Sequence, residues 1–199
     1  MFVQVMEAQV ADRESLDRQI DRWESEVRPG AIGFLHSTGG ITDDDRLIVV
    51  AGFESADAAG ENGARPEQDQ WFVETEKCFE SAPSFFEADD IEVLGEAPAA
   101  GAGFVQVMKG SADREQVHEM DELFERFRGE FRPDVLGLLR AWTGPREYVE
   151  VAFFTSEAEA RAGESQDPPR ELAEQMGDFA ALTADIEFSD LRSPRILVS

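Results

Sequence analysis

Tyr148, Glu150, Ala152 and Phe154 alternate along one predicted strand, so a phenol and a carboxylate share a face with an aromatic ring. If another layer covers that face, Glu150 is a desolvated carboxylate whose raised pKa suits proton abstraction, with Tyr148 beside it. Arg140 and Trp142, just upstream, offer a cation and an indole to hold an anionic or aromatic substrate. The competing expectation is a wetter strand in which Glu150 simply pairs with an Arg. Gln4 and Gln106 each set an amide in the middle of an apolar strand. Buried, such an amide must be hydrogen-bonded or cost about 1–3 kcal/mol; otherwise it faces outward. His36 ends one strand where Arg140 ends another, a place where a polar side chain orients a ligand or meets solvent.

Other reactive residues point to bland roles. His118 lies off the apolar stripe of a helix and is expected to be exposed. With His36 in a different kind of element and no CxxC or HxxxH spacing, no metal site is expected. Asp43-Asp44-Asp45 has no spaced set of calcium ligands around it and reads as a solvated turn. Gly39-Gly40 reads as a turn, without the strand–helix context of a phosphate loop. Cys78 falls on a helix position matched by Phe179 and reads as a buried thiol. No nucleophile has a histidine beside it in the pattern.

The chain that carries these residues has 199 residues and a formal charge of −25, from 43 acids and 18 bases. That balance argues against nucleic acid and anionic membranes as partners, because both need a basic face. No apolar run approaches membrane-spanning length and the start lacks signal-peptide features, so a cytoplasmic location is expected. One cysteine fits a reducing compartment. Sixteen of the 18 bases are Arg; such an Arg-rich, acid-covered chain fits either GC-rich coding or adaptation to high salt.

Positioning falls to a tandem repeat. Phe2-Val3-Gln4-Val5-Met6 recurs as Phe104-Val105-Gln106-Val107-Met108, and Ala11-Asp12-Arg13-Glu14 as Ala112-Asp113-Arg114-Glu115. Arg28-Pro29 returns as Arg132-Pro133, and Asp90-Ile91-Glu92 as Asp185-Ile186-Glu187. Residues 1–97 and 104–199 are read as two copies, joined by a Pro/Ala/Gly linker at 98–103. Each copy reads β-α-β-β-α-β. Its first helix carries an apolar stripe, Leu16, Ile20, Trp23 and Val27 answering Met120, Phe124, Phe127 and Phe131. A hairpin of Ala31–Leu35 and Leu47–Phe53 is matched by Val135–Leu139 and Tyr148–Phe154. A second helix follows, about Glu67–Phe79 and Pro169–Leu182. The last strands are about Ile91–Leu94 and Ile186–Phe188, and the tail Arg195–Ser199 offers a short edge strand. This order is the ferredoxin-like plan, an α+β fold. Strand Leu47–Phe53 is apolar on both faces and needs a second cover. The two sheets are therefore expected to close on each other as an intramolecular dimeric α+β barrel.

Gly33-Phe34-Leu35, the hairpin, and then Phe53-Glu54-Ser55-Ala56-Asp57-Ala58-Ala59 resemble antibiotic-biosynthesis-monooxygenase-like domains of the dimeric α+β barrel superfamily; Phe154-Thr155-Ser156-Glu157-Ala158-Glu159-Ala160 repeats the pattern. The resemblance covers nearly the whole chain as a fused pair. It implies a small aromatic or polyphenolic ligand inside the barrel, held by Gln4, Gln106, His36, Arg140 and Trp142. Glu150 and Tyr148 would then serve a cofactor-independent oxygenation. Haem-degrading relatives use an Asn, a Trp and a His on or beside the second helix; neither second helix here contains His. The alternative function is a non-catalytic interaction or stress-type scaffold, with Glu150 in solvent and no internal polar cluster. A pseudo-dimer within one chain leaves further oligomerisation open.

Overall fold

A computed structural model describes residues 1–179 and 186–199. The first strand, β1 (Phe2–Gln9), alternates faces and buries Val3 and Val5 completely on one of them. Helix α1 (Arg13–Arg22) starts where the Asp12 carboxylate accepts the Ser15 N–H at 3.0 Å. A π-helical turn, Trp23–Val27, and a 3-10 turn at Arg28–Gly30 end it, Pro29 stopping the helix as expected. Then come β2 (Phe34–Ile41), β3 (Arg46–Phe53), α2 (Ala56–Gly63), α3 (Pro66–Thr75) and β4 (Ser84–Ala88). Ser55 caps α2, and Pro66 opens α3 as a separate helix, so two helices stand where one was expected.

The second half runs β5 (Asp90–Gly95), β6 (Phe104–Ser111), α4 (Arg114–Phe131), β7 (Val135–Trp142) and β8 (Glu147–Phe154). It ends with α5 (Glu157–Glu164), α6 (Arg170–Phe179), β9 (Glu187–Leu191) and β10 (Arg195–Val198). Two antiparallel five-stranded sheets result, ordered β10-β2-β3-β1-β4 and β5-β7-β8-β6-β9. The fold is α+β, two ferredoxin-like repeats. One compact unit comprises Met1–Ile91 with Arg195–Ser199, the other Glu92–Pro194. No helix among the described residues is long and apolar enough to cross a membrane.

Three expectations change. The strand Ile91–Leu94, read as closing the first repeat, is part of β5 and belongs to the sheet of β7. The strand that closes the first sheet beside β1 is β4, and its counterpart beside β6 is β9. The match of Asp90-Ile91-Glu92 to residues 185–187 therefore joined non-equivalent strands; Asp185 and Leu182, the expected end of the last helix, lie outside the described residues. Two short edge strands follow each helical segment, and short polar strands carry too little pattern to be told apart by order alone.

The hairpin turns also differ from expectation. β2 continues through Gly39 and Gly40 to Ile41, and β7 reaches Trp142, so both connections are four residues, 42–45 and 143–146. Glycine weakens a strand without ending one where neighbours crowd it. A Cβ at Gly39 would stand 3.1 Å from the Ile48 carbonyl. The Asp43–Asp45 triplet does form the turn, with Asp45 at φ 62°.

The first helix aligns by its cap. Leu16 and Val117, each four residues beyond a capping Asp, pack against Leu47 and against Tyr148 respectively. Ile20 accordingly corresponds to Asp121, one place along the same face. The stretch 98–103 is packed, with Ala99 buried and the Gly103 N–H bonded to the Phe154 carbonyl at 3.0 Å.

Candidate functional site

In the second unit, strand pairing places Arg140 opposite Glu150, which lies opposite Met108. Trp142 lies opposite Tyr148, and Leu138 opposite Ala152. This is the face that α4 covers: Val117 packs with Trp142 and Tyr148, and Phe124 with Phe104 and Phe154. Tyr148 and Glu150 therefore look into the helix–sheet layer, not toward the helix-free face.

Arg140 sits at the centre, only 4% exposed. Its Nε donates to Glu150 Oε2 at 2.7 Å, and Nη1 and Nη2 donate to the two oxygens of Asp121 at 2.6 and 2.9 Å. Nη1 also donates to Glu92 Oε2 on β5 at 2.9 Å. The far oxygen of Glu92 lies 2.7 Å from Nε2 of His118, itself on the exposed side of α4. Trp142 and Tyr148 meet edge-on at 5.4 Å and lie 6.0 and 5.8 Å from the guanidinium carbon. Arg114 also stacks over Trp142, 4.3 Å from the ring centre.

The electrostatics follow from three carboxylates sharing one cation. Burial alone would weaken the Arg140 charge, but hydrogen bonds and charge from Asp121, Glu150 and Glu92 reverse this and raise its pKa. Burial pushes the Glu150 carboxyl above its ordinary value; Arg140 opposes the shift, while Asp121 and Glu92 add to it. Burial works upward on Glu92 too, yet His118, the Trp142 N–H dipole and Arg140 outweigh it and hold Glu92 low. Of these two carboxyls Glu150 is therefore the one that favours keeping its proton. Tyr148 is raised, first by burial and then by Glu150. Both guanidinium contacts to Glu150 fall on Oε2, and among the described residues Oε1 has no hydrogen bond. The Trp142 Nε1 is buried and makes no hydrogen bond of normal geometry.

Sequence reasoning brought Arg140, Trp142, Tyr148 and Glu150 together correctly but missed Asp121, Glu92 and His118. An i, i+3 pair on α4 holding one acid and one imidazole was visible; the β5 partner was not, because its strand was assigned to the wrong sheet. Gln106 is buried and donates to Asp190 on β9 at 3.0 Å; Asp190 also pairs with Arg161. Gln4, its equivalent, donates to Glu87 on β4 at 2.8 Å.

His36 does not share the position of Arg140. Both sheets carry the same register shift, at Phe34/His36 and at Val135/Gly137, so His36 matches Gly137, and Gly39 is the residue opposite Val49 as Arg140 is opposite Glu150. His36 lies opposite Gly52, on the face away from the helices, and is 4% exposed rather than in solvent. A Cβ on Gly52 would stand 2.2 Å from its Nε2, so only glycine admits the ring there. Neither ring nitrogen has a partner, nor does Thr38 Oγ1 two residues on, and burial lowers the His36 pKa to about 4.

The helix-covered face of the first unit is built differently. At the register positions of Asp121, Arg140 and Glu150 stand Ile20, Gly39 and Val49. Above them run aromatic rings: Phe53 to Phe34 at 6.1 Å, Phe34 to Trp23 at 5.4 Å, and Trp23 to Trp71 at 6.2 Å. Both indole N–H groups are tied into the helices, Trp23 to Gln68 at 2.9 Å and Trp71 to the Gln19 carbonyl at 2.7 Å. Their ring faces are thereby fixed. Val49 and Ala51, on the central strand of this sheet, remain half-buried, as do Gln4, Phe34, Trp23 and Trp71. In the second sheet Ala152, the counterpart of Ala51, is 2% exposed. The first helix–sheet layer is thus more open at its centre than the second. Sequence reasoning placed Trp23 and Trp71 on helices but gave them no role; two of the three Trp in one repeat was the available signal.

No family profile matches the chain, and no curated protein matches it in sequence. Solved structures do. A monooxygenase candidate from Fusobacterium nucleatum subsp. nucleatum superposes with a TM-score of 0.75 at 9% identity, over 100% of this chain and 94% of that one. A second monooxygenase candidate, from Lactobacillus acidophilus NCFM, gives 0.71 at 11% identity, over 98% of each chain. An anthrone oxidase-like protein gives 0.68 at 10% identity, over 99% and 92%. The chain shares with these structures its fold, two ferredoxin-like repeats in tandem. At such identities the likeness shows the fold alone.

Proposed function

We propose that the chain binds a planar, electron-rich aromatic small molecule in the helix–sheet layer of its first repeat. The observation that carries this reading is the half-open centre of the first sheet, Ala51 and Val49, beneath the anchored rings of Trp23, Trp71 and Phe34. A flat apolar floor between oriented indoles suits an aromatic ring, and Gln4 supplies an amide for a hydroxyl or carbonyl substituent. Name-level likeness to an anthrone oxidase-like protein supports a hydroxylated polycyclic ligand. Tryptophan emission provides the test, since Trp23 and Trp71 belong to this site and Trp142 to the other repeat. Titrating 1,8-dihydroxyanthrone should quench emission saturably, and Trp142→Phe should leave that quenching in place. Quenching confined to Trp142, or none, would sink the reading.

A second reading is favoured by one feature, the buried Glu150 with its raised pKa and unbonded Oε1. Here Glu150 takes a proton from an acidic methylene of the substrate. The resulting carbanion adds to O₂, the hydroperoxide gains a proton, and loss of water leaves a carbonyl: R₂CH₂ + O₂ gives R₂C=O + H₂O. Arg140 is fully engaged by carboxylates, so its part is to hold Glu150 rather than to bind an anion. Oxygen uptake with the same compound should fall about 10²–10⁴-fold in Glu150→Gln if this is the base. The scaffold alternative expected Glu150 in solvent; its side chain is 12% exposed and pairs with a buried Arg.

A further inference from the structure

From Glu150 the ion cluster leads outward in a line. Arg140, 4% exposed, holds Glu150 at 12% and Glu92 at 23%; Glu92 meets His118, whose side chain is 54% exposed. We infer that His118 is a positioning residue that sets the ionisation of Glu150 through Glu92 and Arg140.

The coupling is electrostatic, because a guanidinium does not give up its proton and cannot pass one along. Glu92 and Glu150 draw on the same Arg140. When the imidazole carries a proton, Glu92 is compensated from outside, and more of the Arg140 field serves Asp121 and Glu150. Glu150 then ionises more easily. When the imidazole is neutral, the uncompensated Glu92 charge acts on Glu150 and holds its proton on. The charged and titratable groups facing Glu150 are Arg140 on β7, Asp121 on α4, Glu92 on β5 and Tyr148 on its own strand. On α4, Arg114, Glu115, Glu119, Asp121 and Glu122 lie within a turn of His118, and Glu92 faces it from β5. The first repeat has Ile20, Gly39 and Val49 in the matching places, so among the described residues the device is found once.

The inference rests on taking Glu150 as the working carboxylate of the second repeat. Its test needs no substrate, so a failure of turnover and a failure of coupling are separate results. Carboxyl ¹³C NMR on the full chain, labelled at Glu, follows Glu150 across pH in His118→Lys and His118→Gln. The fixed cation should lower the Glu150 midpoint and the neutral amide should raise it, the proton-binding constants differing by about threefold or more. In a Glu92→Gln background that difference should collapse. Equal midpoints in the two variants overturn the inference, as does an undiminished difference in the Glu92→Gln background. Should Glu92→Gln fail to fold, the two His118 variants decide alone, since an exposed side chain tolerates both.

Discussion

Gly39 and Arg140 occupy the same register position in the two sheets, the first opposite Val49 and the second opposite Glu150. Beside them Ile20 answers Asp121. Three positions thus differ together, apolar or small in one repeat and ionisable in the other. Concerted replacement is what burial demands, because a single charge introduced there would stand unpaired.

Removing Arg140 alone should be costly. Arg140→Ala leaves three carboxylates facing one another, and a loss of about 3–5 kcal/mol in urea unfolding is expected. Importing the apolar set instead, Asp121→Ile and Glu150→Val with Arg140→Met, should be neutral or stabilising by about 1–4 kcal/mol. A triple variant less stable than Arg140→Ala would contradict the account.

His36 should make stability pH-dependent in a defined window. Its folded pKa is depressed to about 4, against about 6.5 in the unfolded chain, so the unfolded state binds more protons between these values. Its contribution is complete above about pH 6.5 and is lost as pH falls toward 4, amounting to roughly 3 kcal/mol. Comparing ΔG of unfolding for wild type and His36→Leu from pH 7.5 to 4 isolates it. Parallel curves would show that His36 is not titrating in this way.

The C-terminal strand should hold the edge of the first sheet. Leu197 and Val198 lie opposite Ser37 and His36, Arg195 pairs with Asp21 at 2.6 Å, and Arg28 donates to the Val198 carbonyl at 2.7 Å. Deleting residues 195–199 should speed hydrogen exchange in β2 while leaving β7 and β8 protected. Uniform loss of protection across both sheets would mean that the strand matters to the whole chain.

Salt should stabilise the protein. With a charge of −25, self-repulsion is screened as the Debye length shrinks, so Tm should rise through a KCl series. A Tm indifferent to salt would reject adaptation to it.

The repeat, the helix stripes and the polar face of β8 were legible because each leaves a pattern in the sequence: Phe2–Met6 and Phe104–Met108 are identical, and Tyr148 and Glu150 alternate with valines. What escaped were relations that depend on register. One bulged residue at Phe34–His36 moved His36 to the opposite face, and no local signal marks a bulge without a glycine at it. Gly39-Gly40 looked like a turn because glycine's preference is weaker than the ladder around it. The openness above Ala51 depends on helices distant in sequence, so composition could place Trp23 and Trp71 but not their half-exposed faces.

Strand membership bears on how the chain can be cut. Read as a ring, with Ser199 followed by Met1, the molecule has only two boundaries, at 91/92 and 194/195, and each compact unit becomes one unbroken segment. The native order interrupts the first unit and keeps the second whole. Because β5 begins at Asp90, a circular permutant opening at Asp90 and closing at Asp89 would keep the strands of each sheet in one unbroken segment, whereas division at residues 98–103 strands β5 on the wrong fragment and deprives the first sheet of β10.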